Sequence, residues 1–182
     1  MKRRRALAVV GLSALPLSGC LDSVGMDGTA GEPGSGDERS IAVSITRVAG
    51  DGAIDFGCDV HHSEISEGSP AVVKLTARNE TKSDIEYVTG APEPFGALYD
   101  PDSPNAILWT DRYVESQYVE TEGRRITGGE DIGISVTLSP GGSRSETYEF
   151  AAPPGSYSIQ RTGNPLTLGD ETYELIIDVS EA

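Results

Sequence analysis

From Ser40 onward, apolar and polar residues alternate with a period of two, the spacing of strands that bury one face. Ile41, Val43 and Ile45 alternate with Ala42, Ser44 and Thr46, and Val73, Leu75 and Ala77 with Lys74, Thr76 and Arg78. The cleanest run sets Ile132, Ile134, Val136 and Leu138 against Gly133, Ser135 and Thr137, and all four apolar residues are expected to be buried. Tyr148 and Phe150 share one face, as do Tyr157 and Ile159. The last run points Tyr173, Leu175, Ile177 and Val179 inward against Thr172, Glu174 and Asp178. Ile85 to Val88 and Ile107 to Trp109 are shorter candidate strands.

Strong breakers separate these runs: Gly68-Ser69-Pro70, Pro92-Glu93-Pro94, Pro101 to Pro104, Ser139-Pro140-Gly141-Gly142 and Pro153-Pro154-Gly155. Proline fixes the backbone and glycine frees it where strands must end. No segment shows a sustained 3.6-residue apolar period, so no helices are expected. The pattern predicts an all-β domain over residues 40–182, an antiparallel β-sandwich of seven to nine strands, because a single sheet would leave its apolar face wet. A small closed barrel satisfies the same pattern.

The first 39 residues read differently. Lys2 to Arg5 are cationic, and Ala6 to Leu17 form an apolar stretch. As a helix those twelve residues would rise only ~18 Å, too short for a hydrocarbon core of ~30 Å. The stretch closes on Leu17-Ser18-Gly19-Cys20, with the order of a lipoprotein signal peptide over residues 1–19: small residues before the cut, then a thiol able to become a thioether. Cys20 is therefore the expected lipid attachment site, and Arg3-Arg4-Arg5 also resembles a twin-arginine leader. Residues 20–39 read as the lipidated cysteine and a flexible acidic linker, rich in Gly, Asp, Ser and Glu. With Cys20 lipidated, Cys58 has no intramolecular partner, and the domain must be held by its core.

Charge narrows the setting. The chain carries 14 Lys+Arg against 29 Asp+Glu; removing the four basic residues of the leader leaves 10 minus 29, or −19. Lys74 and Lys82 are the only lysines of that mature chain. Such a surface repels nucleic acid and anionic lipid, so no nucleic-acid partner is expected. It also repels itself unless salt shortens the Debye length to about 3 Å at molar concentration. Acidic, lysine-poor and exported together suggest a salt-loving host.

Val72-Val73-Lys74-Leu75-Thr76-Ala77-Arg78-Asn79-Glu80-Thr81 looks like the second strand and turn of secreted immunoglobulin-like domains. Leu138 to Ser143, Tyr148, and Pro154-Gly155-Ser156-Tyr157-Ser158-Ile159 are similar to their closing strands. With the leader and acidic linker, the chain resembles uncharacterised haloarchaeal surface lipoproteins with an immunoglobulin-like β-sandwich domain. It departs from the antibody type in lacking paired inter-sheet cysteines. The resemblance implies a fold and leaves the activity open.

Four local features bear chemistry. Cys58-Asp59-Val60-His61-His62 gathers the mature chain's one free thiol and both histidines, ligand types suited to copper or zinc. In a strand Cys58 and His62 share a face but lie ~13 Å apart, so only a turn could bring them to one ion; the plain alternative is a buried cysteine beside surface histidines. Asp100-Pro101-Asp102-Ser103-Pro104-Asn105 offers oxygen ligands of the kind calcium takes, without EF-hand spacing, and reads equally as a solvated turn. Asn79-Glu80-Thr81 is an N-glycosylation sequon placed where a strand turns over, or an asparagine selected for the turn itself. Aromatic loops, Pro92 to Asn105 with Phe95 and Tyr99, and Arg112 to Tyr118, would act as ligand contacts or as lids over the sandwich end.

Catalytic signatures are absent: no G-x-S-x-G, H-E-x-x-H, P-loop or dinucleotide fingerprint. An enzyme is not expected, nor is a cofactor. The sequence points instead to a lipid-anchored module on the outer face of the cell membrane, binding a protein or glycan through its loops. A metal-handling lipoprotein using Cys58, His61 and His62, or a purely structural envelope protein, are the alternatives.

Overall fold

The computed structural model describes residues 38–182. The leader, Cys20 and the linker up to residue 37 lie outside the described residues. The described part is almost wholly β. One sheet is formed by β2 (Ile54–His62), β4 (Ala71–Asn79) and β11 (Ser143–Phe150), with β4 in the middle. The other is built on β1 (Arg39–Ala49), β14 (Glu171–Glu181), β12 (Gly155–Arg161), β6 (Leu98–Asp100) and β7 (Ser103–Ile107), in that order. It is extended by β3 (Glu64–Ile65) beside β1 and β13 (Leu166–Leu168) beside β14. All pairings are antiparallel.

The two sheets pack face to face. Val73, Leu75, Tyr148 and Phe150 come from one inner face, and Tyr157, Ile159, Leu175 and Ile177 from the other. Aromatic pairs cross the interface: Phe56 lies 5.2 Å from Tyr173, and Phe150 5.9 Å from Tyr157, centroid to centroid. This arrangement is a β-sandwich. Its strand orders β2–β4–β11 and β6–β12–β14 match the A-B-E and C-F-G orders of an immunoglobulin-like domain.

Several details differ from the pattern-based expectation. The described residues hold fourteen strands rather than seven to nine, because ladders such as β3, β6 and β13 are two or three residues long and too short to show alternation. One helical turn, α1 (Arg112–Glu115), interrupts a segment expected to be a loop. Arg39 belongs to β1, not the linker, and its Nη1 donates to the Ala152 carbonyl at 2.7 Å. Of the Ile132–Leu138 run, only Val136 and Leu138 are fully buried. The strand β10 (Ile134–Leu138) pairs with β5 (Ile85–Thr89), and Ile132 precedes it on the wall of a hollow.

Candidate functional site

The main elaboration on the sandwich is a hairpin of β8 (Val119–Glu122) and β9 (Arg125–Gly129). Its two-residue loop opens on Gly123 at φ 59°, a left-handed conformation that glycine adopts without steric cost. The hairpin has its own two-stranded sheet, and Val119 and Ile126 pack against the core from it. Its tip is held by Arg124, which pairs with Glu149 and lies over Trp109, 5.4 Å from the ring centroid.

The base of the hairpin is set by α1. Tyr113 is fully buried; its hydroxyl donates to the Leu108 carbonyl at 2.9 Å and accepts from the Leu98 amide at 3.2 Å. Burial pushes this phenol well above its usual range. Beside it, Glu146 accepts from Thr110 Oγ1 at 2.9 Å and pairs with Arg112 at 3.0 Å.

Between this hairpin and the strands of the larger sheet lies a hollow of about 610 Å³. Tyr99 and Tyr118, both half-buried, line it with Ile126, Ile132, Pro101 and Pro104. Glu130 and Asp131 stand exposed on its wall, and no lysine, arginine, histidine or cysteine lines it. A second hollow of about 430 Å³ shares Gly90, Asp131, Ile132, Thr162 and Asn164 with the first, so the two form one continuous cleft. At its far end Arg161 donates to the carbonyls of Val88 (3.3 Å) and Thr167 (3.2 Å) and to Thr167 Oγ1 (2.9 Å). Burial lowers the pKa of that guanidinium. The size and mixed wall are those of a small-molecule site.

The residues singled out by sequence fall elsewhere or take other roles. Cys58, His61 and His62 lie along β2, where Cys58 and His62 pair with β4 and His61 falls at a register shift between them; Cys58 packs against the core while both histidines are exposed. The turn that could have gathered them does not form. Among the described residues no three His, Cys, Asp or Glu side chains are placed to share a metal ion. Burial, and then the neighbouring Asp59 carboxylate, raise the Cys58 thiol pKa. Asp100 is neither a solvated turn residue nor a free ligand. It is buried, its Oδ1 accepts the amides of Asp102 (2.8 Å) and Ser103 (3.1 Å), and its Oδ2 accepts that of Ser158 (2.8 Å). Asn79 is 0 % exposed, and its Nδ2 donates to the carbonyls of Ser83 (2.7 Å) and Leu138 (2.8 Å). Both amide hydrogens are thereby used within the folded domain. Phe95 is a buried lid, edge-on to Phe56 at 5.3 Å, whereas Tyr99, on β6, and Tyr118, just before β8, are the aromatics that line the cleft.

Two features escaped the sequence reading. The hairpin carries only Val119 and Ile126 as apolar markers, so its alternation is faint; the turn glycine was its one local signal. Glu171 is buried at 2 % exposure, accepts the amides of Gly52 and Ala53 at 2.7 Å each, and pairs with Arg47 at 3.5 Å. It pins the crossover between the two sheets. A Cβ at Gly50, where φ is 110°, would stand 2.3 Å from the Glu171 carboxylate, so glycine makes room for it. Among 29 acids nothing local marks this one.

These observations define a β-sandwich with a hairpin-walled cleft on the flank of one sheet. The chain belongs to the family described as Domain of unknown function (DUF8130), whose model matches residues 1–167. No curated protein and no solved structure matches it.

Proposed function

We propose that this chain is an exported surface lipoprotein, tethered to the outer membrane face through Cys20, whose sandwich binds a ligand in the hairpin-walled cleft. The observation that carries the binding role is the pairing of that cleft with the β8–β9 hairpin. The hairpin lies outside the two main sheets, covers little core, and encloses a hollow lined by half-buried tyrosines. A purely architectural sandwich has no need of it. The anchor rests on the Leu17-Ser18-Gly19-Cys20 run after a cationic and apolar leader. The acidic surface fits exposure to a salt-rich exterior.

Gly90 supplies a test. It borders both hollows, its φ is outside the left-handed region, and the nearest atom to a Cβ built there is the Gly96 Cα at 4.0 Å. Gly90→Leu therefore fills the cleft with little strain. Wild-type and Gly90→Leu chains, immobilised and exposed to host envelope extract, should differ in the components they retain; equal retention rejects the cleft as the binding site. Cys20→Ser should separately move the protein from the membrane to the soluble fraction or leave it uncleaved, and a normally processed, membrane-bound variant rejects the anchor.

A further inference from the structure

Building on the cleft reading, we propose that the larger hollow takes a small organic cation, an ammonium head bearing methyl or methylene groups. Tyr99 and Tyr118, both half-buried, line that hollow, and so do the exposed acids Glu130 and Asp131. Aromatic faces carry negative quadrupole charge and attract a weakly hydrated cation while covering its alkyl surface. No cationic side chain lines this hollow to compete. Arg161 lies along the adjoining hollow, with its guanidinium turned to Val88 and Thr167.

The alternatives fit the wall less well. An anion meets two carboxylates inside a domain whose acids greatly outnumber its bases. A neutral sugar would find donors in Tyr99, Tyr118, Asn164, Thr127 and Thr162, but it gains nothing from the charge of Glu130 and Asp131. A cation needs acceptors and ring faces alone. A bare metal ion would need several carboxylates converging, and no such group exists among the described residues.

The test uses the full chain carrying Cys20→Ser, titrated with choline and with 3,3-dimethylbutan-1-ol, its neutral isostere, in molar KCl. High salt screens the general attraction of an acidic surface for cations, leaving what the cleft itself contributes. Choline is expected to bind about ten-fold or more tightly than the alcohol, with amide shifts confined to Gly90 and the Gly128–Ile132 segment. Glu130→Gln with Asp131→Asn should remove most of that preference and leave the alcohol unaffected. Tyr118→Leu should weaken choline binding more than Tyr118→Phe. Equal affinities for the two isosteres, shifts outside the cleft, or no saturation by choline overturns the cation reading. Saturable glucose binding blocked by Gly90→Leu, with no response to choline, would overturn it while leaving the cleft as the binding site.

Discussion

Replacing Asn79 with alanine should destabilise the domain far more than replacing Thr81, although either change destroys the same sequon. The Asn79 side chain closes four hydrogen bonds: it donates to Ser83 and Leu138 carbonyls and accepts from the Thr81 amide and hydroxyl, all between 2.7 and 2.8 Å. Its bond to Leu138 spans 59 residues and ties the end of β4 to the end of β10. Truncation strands a buried carbonyl, at about 1–3 kcal/mol, and forfeits further bonds worth about 1 kcal/mol each before relaxation. A net loss of about 2–4 kcal/mol is expected. Thr81→Ala removes one partly exposed hydroxyl and keeps the amide bond, so under about 1 kcal/mol is expected. For a domain of this size 1 kcal/mol moves the midpoint by about 3–5 °C, so the two variants should melt about 5–10 °C apart. Thermal and urea melts measure the difference, and intact mass of host-expressed protein reads Asn79 occupancy. An Asn79→Ala melt that coincides with wild type, or a glycan on Asn79 of the folded protein, would refute the turn assignment.

Three further outcomes follow from the core and the charge. Val136→Asp places an unpaired carboxylate where 3 % of the surface is exposed; the several kcal/mol this costs is comparable to total stability, so circular dichroism should show an unfolded chain. Burial raises the phenols of Tyr87 and Tyr173 to about 12 and pushes Tyr113 and Tyr148 up as well. The unfolded chain therefore loses these protons first, near pH 10, so stability should hold below that pH and fall as pH rises from about 10 to 12; pH-stepped urea melts that stay level across this window would contradict it. Melting temperature should climb steeply between about 0.05 and 3 M KCl as screening relieves self-repulsion, and a flat profile would remove the inference of a salt-rich setting.

The strands that carry the core were legible because burial on one face writes itself as alternation. Val73-Leu75-Ala77 and Tyr173-Leu175-Ile177-Val179 are buried in the register their spacing implies. The pattern weakens wherever a residue serves an edge or a hollow. Val43 and Ile45 are only partly covered, and Ile132 lines the cleft instead of the core. The cleft itself was half legible: the segments holding Tyr99 and Tyr118 stood out by their aromatics, but the wall between them is a hairpin almost without apolar markers. Cys58, His61 and His62 show the opposite failure, since proximity in sequence becomes separation along an extended strand. Asp100 and Asn79 were visible as turn residues, yet the distant partners that bury them, Ser158 and Leu138, follow from sheet packing and have no local signature.

The placement of Trp109 gives the molecule an optical reporter of its own. It is the one tryptophan in the chain, almost wholly enclosed, with Arg124 from the hairpin tip resting on its ring and Tyr113 edge-on at 5.6 Å. Any excursion of the hairpin away from the sandwich must lift that guanidinium and admit water to the indole. Emission wavelength and quencher access at this single fluorophore therefore track the position of the cleft's outer wall, separately from unfolding of the sheets, and without a label.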